Sequence, residues 1–473
     1  MMSERKQIHI DEEEIKRQKQ IMADMRAQNE ALKSKPLACV ITYGCQQNEN
    51  DSEHLKGMLS EMGYALTDER EKADVILFNT CAVRENAELK LKGNVGALKY
   101  LKAKKPGIVI GVCGCMMQQE AIAEELYKKF RHVSLIFGTH GLYRFPELLK
   151  EAKEERRVFG VTESDGEIAE SMPVKRDDNC KAWVTVMYGC NNFCTYCVVP
   201  YVRGRERSRN PEDILSEIRG LAADGYKEIT LLGQNVNSYG KDLGENQMSF
   251  ADLLRKANEI DGIERIRFAT SHPKDISDDL ICAMAECDKV CKQLHLPFQA
   301  GSNKTLKAMN RSYTRESYLE KVKKIREKMP DIALTSDVIV GFPTETDEDF
   351  EETLTLVNEV RFDNLFTFIF SPRRGTRAEK MEPMLDDESI QRNFDRLLEL
   401  QNRISREIND TYAGRELDVL IDGESRTDKN VLQGRTDSNK VVNIKGDRSL
   451  IGKVVRVRIS DVRTWSLRGE IIE

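Results

Sequence analysis

Residues 183–197, WVTVMYGCNNFCTYC, join a hydrophobic run to three closely spaced cysteines. The run WVTVMY (183–188) is typical of a buried β-strand, because apolar and β-branched residues dominate it. Cys190, Cys194 and Cys197 follow the run with the spacing C-x3-C-x2-C. Three thiolates can bind three irons of a four-iron cubane and leave the fourth iron open. They can also form a zinc site whose fourth ligand is a remote Cys or His.

The cysteine-rich segment begins a long series of alternating strands and helices. Helical stretches separate the later strands, and a helix near 387–411 ends the series. This repetition predicts a full or partial (β/α) barrel, in which active sites lie at the carboxyl ends of the strands. The cysteines therefore lie where chemistry is expected. The later strands are predicted at 228–233, 265–270, 292–297, 334–341 and 364–370.

An earlier series of strands and helices predicts a parallel α/β sheet. Cys45, Cys81 and Cys115 each follow one of its first three strands. The ends of parallel strands meet at one edge of a sheet, so we expect these thiols to converge on one point. A single buried Cys is more often a small apolar core residue, and this alternative applies to each one alone. The strands are predicted at 37–43, 73–79, 108–113 and 133–138.

The pattern of composition divides the chain into five segments. The C-terminal segment consists of short alternating runs between Gly and Asp turns, which predict a small β-barrel. It also contains eleven Lys or Arg against four Asp or Glu between residues 426 and 468. The segments are a charged extension (1–35), an α/β domain (36–150), a linker (151–180), the barrel (181–411) and the β module (412–473).

The overall composition excludes several classes of protein. Twelve cysteines spread over 473 residues do not form the dense framework of a small secreted domain. No apolar run is long enough to span a bilayer, so we expect a cytoplasmic protein that does not associate with a membrane. A net charge of −6 argues against a uniformly basic nucleic-acid coat but allows local basic surfaces.

Several longer motifs narrow the interpretation. They are YGCQQNENDSE, NTCAVRENA, YGCNNFCTYCVVPYVRGRERSR, LLGQNVNSYG, ATSHP and DVIVGFPTET. Together they resemble the methylthiotransferase family of radical S-adenosylmethionine (SAM) enzymes, over nearly the whole chain after residue 36. Gln47 is one departure, because that family more commonly has Met there. The resemblance implies a flavodoxin-like N-terminal domain, a partial TIM-like radical SAM barrel and a C-terminal TRAM domain that binds RNA.

The resemblance also implies the chemistry. Cys190, Cys194 and Cys197 would hold a [4Fe–4S] cluster whose open iron binds SAM, and electron transfer would then cleave SAM to a 5′-deoxyadenosyl radical. The three N-terminal cysteines would hold a second [4Fe–4S] cluster carrying the transferred sulfur. The implied reaction is methylthiolation of carbon 2 of N(6)-(dimethylallyl)adenosine at position 37 of tRNA. A radical is needed because this C–H bond is unactivated.

The resemblance suggests the partners and places Tyr196 beside the adenine of SAM, whereas polar strand ends and basic runs suggest the other binding residues. The expected partners are a tRNA anticodon loop, an external electron donor and a sulfur source. Extruding a base from a single-stranded loop costs less free energy than extruding it from a duplex. We expect a monomer. The candidate SAM contacts are Tyr196, Gln234, Ser271, Gln299, Arg311 and Asp337. Taken singly, each of them except Tyr196 is equally well explained as a loop cap or turn residue, and their recurrence at successive strand ends favours a shared binding site. The candidate RNA contacts are Arg203, Arg205, Arg207, Arg209, Arg456 and Arg458. The alternative for the arginines of RGRERSR is a solvated or structural ion-pair segment.

Two kinds of alternative stay open. Relatives with the same chemistry act on threonylcarbamoyladenosine in tRNA or on an aspartate of a ribosomal protein. A protein of another class, a zinc-containing RNA-binding protein without catalysis, would also carry grouped cysteines and a basic β module.

Overall fold

The computed structural model describes residues 9–83, 85–155, 157–162, 166–244, 248–425 and 428–472. The chain forms two compact units. The first contains Met1–Asp177, Met187–Asn191 and Cys197–Arg209. The second contains Asp178–Val186, Asn192–Tyr196 and Asn210–Glu473. Of the helices in the described ranges, none is long and apolar enough to cross a membrane.

The first unit is built on a six-stranded parallel sheet with the order β2-β1-β3-β4-β5-β6. Every residue of its two central strands is buried, as expected when helices cover both faces. The order of the first five strands is that of a flavodoxin-like fold. The strands are β1 (Leu37–Tyr43), β2 (Ala65–Leu66), β3 (Val75–Thr80), β4 (Val109–Gly114), β5 (Leu135–Phe137) and β6 (Val158–Gly160).

Two of these strands were not predicted. β2 has only two residues, too few to produce a recognisable pattern. β6 lies in the charged stretch expected to be a linker and has three residues. It pairs with β5 and forms the edge of the sheet. Edge strands are commonly short and carry charged residues, so a charged stretch is compatible with a strand at this position.

Helices cover both faces of this sheet. Met22 and Met25 of α1 are buried in the core on one face, so the charged N-terminal extension packs its few apolar side chains inward. Asp11 caps the helix by accepting a hydrogen bond from the Glu14 amide. The helices are α1 (Glu12–Glu30), α2 (Gln46–Glu61), α3 (Glu85–Ala97), α4 (Lys99–Lys104), α5 (Glu120–Lys129) and α6 (Phe145–Glu155).

A smaller group of elements completes the first unit. One strand of an antiparallel pair precedes the cysteine segment, and a short helix and the second strand of the pair follow it. They are β8 (Met187–Tyr188), α7 (Val199–Arg203) and β9 (Arg207–Ser208).

The second unit begins with a six-stranded parallel βα series, as predicted. Its strands form two three-stranded sheets, β11-β10-β7 and β12-β13-β14. An isolated parallel bridge pairs Ile266 of the first sheet with Val290, three residues before the second sheet begins. Within the described residues, no pairing joins β14 back to β7, so the barrel is partial. The strands are β7 (Lys181–Thr185), β10 (Glu228–Leu232), β11 (Arg265–Phe268), β12 (Gln293–His295), β13 (Ala333–Val340) and β14 (Asn364–Ile369).

The helices of this series follow their strands and start at well-defined caps. Ser249, Thr314 and Thr346 each form a capping box at the start of a helix. The helices are α8 (Pro211–Ala223), α9 (Phe250–Asn258), α10 (Asp278–Glu286), α11 (Asn303–Ala308), α12 (Arg315–Lys328), α13 (Asp347–Val360) and α14 (Asp387–Asp410).

The chain ends in a closed five-stranded barrel with the order β15-β16-β17-β19-β18. Two arginines of β11 attach it to the βα series. Arg265 donates hydrogen bonds to the carbonyls of Arg435 (2.6 Å) and Asp418 (2.9 Å). Arg267 donates to the carbonyls of Asp437 and Thr436, both at 2.8 Å. The strands are β15 (Glu416–Glu424), β16 (Leu432–Thr436), β17 (Val441–Ile444), β18 (Val454–Val462) and β19 (Leu467–Ile471).

Candidate cluster sites and RNA-facing residues

Three cysteines of the first unit follow adjacent strands of its sheet. Cys45 comes two residues after the end of β1, Cys81 directly after β3, and Cys115 directly after β4. Since these strands are neighbours in the order β1-β3-β4, the cysteines lie along one edge of the sheet. Cys81 and Cys115 are buried, and Cys45 is half-buried at the start of α2.

Asn48 links the three strand ends. Its Oδ1 lies 3.4 Å from both the amide nitrogen and the Sγ of Cys45. Its Nδ2 donates to the Thr80 carbonyl at 3.3 Å, next to Cys81, and lies 3.9 Å from Cys115 Sγ. The sequence patterns did not predict a role for Asn48. The signal was its place three residues after Cys45, where a capping box puts a polar side chain.

Further N–H groups point at the sulfurs. The Val83 amide donates to Cys81 Sγ at 3.3 Å, and Arg203 Nε donates to Cys115 Sγ at 3.1 Å. Arg203 Nη2 also donates to Asp51 Oδ2 at 2.5 Å, and both side chains are buried. Burial raises the pKa of the Cys115 thiol to about 12, and the nearby Arg203 guanidinium opposes this rise. Donors of this kind stabilise a sulfur that carries negative charge.

Three thiols and their N–H donors are the groups that an iron–sulfur cluster uses in proteins. Across the described ranges, no three His, Cys, Asp or Glu side chains gather closely enough to hold one metal ion. In a cubane each thiolate binds a different iron, so the ligands need not surround one ion. Hydrogen bonds to the sulfurs help to set the reduction potential of such clusters. Three thiols with N–H donors at Cys81 and Cys115 therefore fit an iron–sulfur cluster.

The second cysteine group follows β7 and β8. Cys190 and Cys197 belong to the first unit and Cys194 to the second. In the first unit, the Cys190 amide donates to the Gly204 carbonyl at 3.1 Å. In the second unit, Arg311 Nη1 donates to Cys194 Sγ at 3.4 Å. Arg311 thus supplies an N–H donor to the one cysteine sulfur of this motif that lies in the second unit.

The end of α11 holds the middle of this segment in place. The Thr195 amide donates to the Met309 carbonyl at 3.0 Å. Asn310 Nδ2 donates to the carbonyls of Asn192 (3.2 Å) and Phe193 (3.1 Å). Phe193 has a φ of +46°, an unusual left-handed conformation for a bulky residue. These hydrogen bonds stabilise the turn that presents Cys194.

The candidate SAM contacts at strand ends all lie in the second unit. Gln234 and Ser271 follow β10 and β11, Gln299 follows β12, and Asp337 lies within β13. Ser271 Oγ is buried and has no hydrogen-bond partner among the described residues. Such an orphaned hydroxyl is expected where a polar ligand binds. Gln299 has a φ of +67°, and its amide donates to the Asp337 carbonyl at 3.0 Å.

The remaining two SAM candidates lie near Cys194. Arg311 donates to the Tyr313 hydroxyl and the Pro297 carbonyl, both at 2.9 Å, in addition to Cys194. The ring of Tyr196 meets that of Phe342 edge to face, with centroids 6.5 Å apart. The structure thus places Arg311 beside the sulfur of Cys194, a contact that its sequence context did not indicate.

Three of the four arginines after the cysteine segment do not fit the RNA-contact interpretation. Arg203 is buried against Asp51 and Cys115. Arg207 is buried and donates to the carbonyls of Arg203 and Arg205. Arg209 is buried and forms a two-pronged pair with Glu170, at 2.8 and 2.7 Å. The polar spacing of RGRERSR resembles a surface segment, but tertiary partners draw these side chains inward. Arg205 is exposed.

Both arginine candidates of the C-terminal barrel are exposed. Arg456 pairs with Asp418 at 3.1 Å, and Arg458 pairs with Glu416 at 2.8 Å, across β18 and β15. Exposed pairs of this kind contribute little stability and exchange partners at little cost. These side chains are therefore accessible to phosphate.

Comparisons with known proteins cover all three parts of the chain. Family models match at residues 38–138 (Uncharacterized protein family UPF0004), 184–357 (Radical SAM superfamily) and 410–472 (TRAM domain). A tRNA-2-methylthio-N(6)-dimethylallyladenosine synthase of Acetivibrio thermocellus is 58% identical over 99% of this chain and 98% of its own length. Proteins with the same name from Alkaliphilus oremlandii and Clostridioides difficile are 55% and 54% identical, each over 100% of both chains.

One solved structure supports the fold. The radical S-adenosylmethionine methyltransferase TsrM from Kitasatospora setae, with cobalamin and a [4Fe-4S] cluster bound, has a TM-score of 0.53 at 14% identity. The match covers 72% of this chain and 77% of that one. At this identity the likeness shows a shared architecture only.

Proposed function

Since the chain belongs to the family of the tRNA-2-methylthio-N(6)-dimethylallyladenosine synthases, we propose that it methylthiolates carbon 2 of N(6)-(dimethylallyl)adenosine at position 37 of tRNA. The observation that carries this proposal is 58% identity over nearly the full length of both chains. The paired cysteine sites support it, because a two-cluster enzyme needs two separate groups of thiols.

We assign the six cysteines to two [4Fe–4S] clusters. Cys45, Cys81 and Cys115 are the proposed ligands of the auxiliary cluster, and Cys190, Cys194 and Cys197 those of the SAM-binding cluster. When bound, the clusters and SAM supply the radical and sulfur chemistry that no side chain provides. Three ligands per cluster leave one iron of each accessible to a non-protein ligand.

The protein's own residues hold and orient these groups. At the auxiliary site, Asn48 spans the three strand ends and Arg203 donates to Cys115 Sγ. We propose that Arg203 is a positioning residue for this cluster rather than an RNA contact. At the other site, Arg311 donates to Cys194 Sγ. Donors to cluster sulfurs fix ligand orientation and tune the reduction potential.

The polar groups at the strand ends form the proposed SAM site. Ser271 offers a buried hydroxyl that has no hydrogen-bond partner among the described residues. Gln234, Gln299 and Asp337 occur at or near three other strands of the same series. Tyr196, just before Cys197, is the proposed neighbour of the adenine. Recurrence of polar groups at successive strand ends supports one ligand-binding site.

The RNA partner is proposed to bind through phosphate contacts and one extruded base. The exposed Arg205, Arg456 and Arg458 are the candidate phosphate contacts. Phosphate contacts position an RNA, whereas the pocket selects the base. An anticodon loop is single-stranded, so extruding its base costs less than opening a duplex. We further propose a cytoplasmic monomer that receives electrons and sulfur from external donors.

The domain limits also remain proposals. We retain 181–411 for the barrel and 412–473 for the β module. The packing of α1 and the pairing of β6 support extending the N-terminal domain from 36–150 to include both elements.

Nucleoside analysis tests the proposed substrate. In tRNA from a strain lacking this gene, we expect the methylthio-dimethylallyladenosine peak to disappear and its unmethylthiolated precursor to accumulate. Complementation with the intact gene should restore the peak. If the peak is unchanged and methylthio-threonylcarbamoyladenosine is lost, or a ribosomal aspartate is left unmodified, the substrate is the alternative one.

Metal analysis tests the class of protein. Anaerobically purified protein should be brown and contain close to eight irons per chain, as two [4Fe–4S] clusters require. The Cys190→Ala variant should lose SAM cleavage, and Cys282→Ala, a half-buried cysteine outside both groups, should retain it. Colourless protein that contains zinc would support the non-catalytic alternative.

A further inference from the structure

The last strand of the partial barrel exposes two neighbouring aromatic side chains. Phe366 and Phe368 of β14 are 48% and 52% exposed, whereas Leu365 on the other face is buried. Single exposed apolar residues are common and need no explanation. Two large aromatics on the same face of one strand form a contiguous apolar surface, which more often marks a binding site.

This aromatic pair continues the row of candidate SAM contacts. Phe366 is in register with Asp337 of β13, so both side chains lie on the same face of the sheet. His295 connects them. Its Nε2 lies 3.5 Å from Asp337 Oδ1, and its ring meets the Phe366 ring edge to face at 5.7 Å. The apolar surface is therefore adjacent to the proposed SAM site within the second unit.

The chain after β14 adds positive charge beside this surface. Its sequence is SPRRGTRAEK (371–380), with Arg374 and Arg377 exposed. Thr376 Oγ1 donates to the Arg373 carbonyl at 2.7 Å and closes the turn. Gly375 has a φ of +81°, a conformation that glycine adopts without strain.

The same basic loop is anchored to the cysteine segment. The Ala378 amide donates to the Thr195 carbonyl at 2.9 Å, and Thr195 lies between Cys194 and Tyr196. The arginines of the loop are thus held close to one of the proposed cluster ligands. Sequence reasoning missed this loop, because its three arginines are separated from the cysteine motif by more than 170 residues.

We propose that β14 and the loop 371–380 form the docking surface for the target nucleotide. Phe366 and Phe368 contact the adenine and its dimethylallyl group, and Arg374 and Arg377 contact flanking phosphates. This inference rests on the proposed function and identifies the residues that read the substrate. A planar base carrying an apolar alkenyl group matches an exposed aromatic pair, because bases stack on aromatic rings.

The proposed surface also predicts a preference between related nucleosides. A threonylcarbamoyl group carries a carboxylate and a hydroxyl, which lose hydration against apolar rings. The dimethylallyl group loses no polar hydration there and gains apolar burial. The aromatic pair therefore favours the prenylated base.

Binding measurements on the full-length, cluster-loaded protein test the proposal. The probes are two anticodon stem–loop RNAs of equal sequence, one with dimethylallyladenosine and one with adenosine at position 37. In Phe366→Ala and Phe368→Ala, we expect the Kd for the modified RNA to rise about five- to tenfold, near the low end of measured stacking contributions. The Kd for the unmodified RNA should rise less, so the ratio of the two affinities should fall. The matched control is Ile369→Ala, which truncates a 41% exposed residue on the opposite face of the same strand.

Removing an arginine of the loop should have a different effect on RNA binding from removing a phenylalanine. Arg374→Ala should weaken binding of both RNAs by a similar factor, leave their ratio unchanged and reduce the salt dependence of binding. Phe366→Leu keeps an apolar side chain and should bind both RNAs more tightly than Phe366→Ala. This conservative variant keeps the test decisive if the alanine variants unfold.

The outcomes separate this inference from the function on which it rests. Suppose that the unaltered enzyme binds and methylthiolates the modified RNA, and that the phenylalanine variants keep the same ratio of affinities for the modified and unmodified RNAs. The proposed docking surface is then refuted, and the proposed function stands. If the unaltered enzyme does not methylthiolate the modified RNA, the proposed function fails. If Ile369→Ala lowers the ratio as much as the phenylalanine variants do, the effect is not specific to this face and the inference fails.

Discussion

The buried pair between Arg203 and Asp51 gives the sharpest stability prediction. Both side chains are less than one-tenth exposed, and they form a 2.5 Å contact. Asp51→Asn removes the negative partner and leaves the guanidinium charge buried. Breaking a buried pair in this way costs about 3–5 kcal/mol, because the remaining charge has lost its compensation. We expect the first unit to lose this much stability.

Hydrogen exchange is the appropriate assay, because a chain with two units need not unfold in one step. The amides of β3 and β4 report on the first unit, and those of β15 and β18 serve as an internal reference in the second. Each 1.4 kcal/mol is a factor of ten, so exchange in β3 and β4 should accelerate by about two to three and a half orders of magnitude. The reference amides should be unchanged.

Two further variants decide whether the lone charge is the cause. The double variant Asp51→Asn with Arg203→Gln buries no charge and should recover a large part of the lost protection. Glu30→Gln breaks an exposed pair with Arg26 in the same unit and should change stability by less than about 1 kcal/mol. Protection in Asp51→Asn within threefold of the unaltered protein would refute the reasoning.

Three other predictions address the remaining sites. Asn48→Ala should lower the iron retained per chain toward half after anaerobic reconstitution and dilution, since residues that orient metal ligands contribute about 10- to 100-fold in affinity; full retention would contradict its role. Burial raises the pKa of Glu345 from 4.5 to about 7, so the folded protein holds this proton more tightly and should lose stability as pH rises from 4.5 through 7. The Tm difference between pH 5 and pH 8 should therefore shrink in Glu345→Gln, and an unchanged difference would exclude this source. Arg267→Met removes the hydrogen bonds to Thr436 and Asp437, so limited proteolysis should release the C-terminal barrel faster than in Arg456→Met, and equal rates would show that this arginine does not anchor it.

The reassignment of Arg203 illustrates how tertiary partners change the meaning of a charged segment. In sequence, the run RGRERSR has an arginine at every second position, a pattern that suggests a solvent-exposed, RNA-facing stretch. In the structure, Asp51 on α2 and Glu170 supply negative partners from more than 35 residues away. Buried arginines are stable only when such partners exist. A local pattern contains no information about them.

The sequence by itself determined the order of elements and the positions of the cysteines. Alternating apolar runs and amphipathic stretches predicted four strands of the first sheet, all six strands of the partial barrel and a C-terminal β-barrel, and the structure confirms these. Such patterns are readable because each strand buries a periodic set of side chains. Strands of two or three residues, such as β2 and β6, carry too few side chains to show a period.

Only the tertiary structure decided which side chains surround the proposed ligands. Asn48 joins three strand ends, Arg311 reaches Cys194, and Phe366 lies beside His295. Apart from the link between Asn48 and Cys45, these contacts connect residues separated by more than thirty positions, and they arise from parallel strand order and register. Sequence periodicity specifies which face of an element is buried. The identity of the residue that meets it from a distant element depends on how the elements pack.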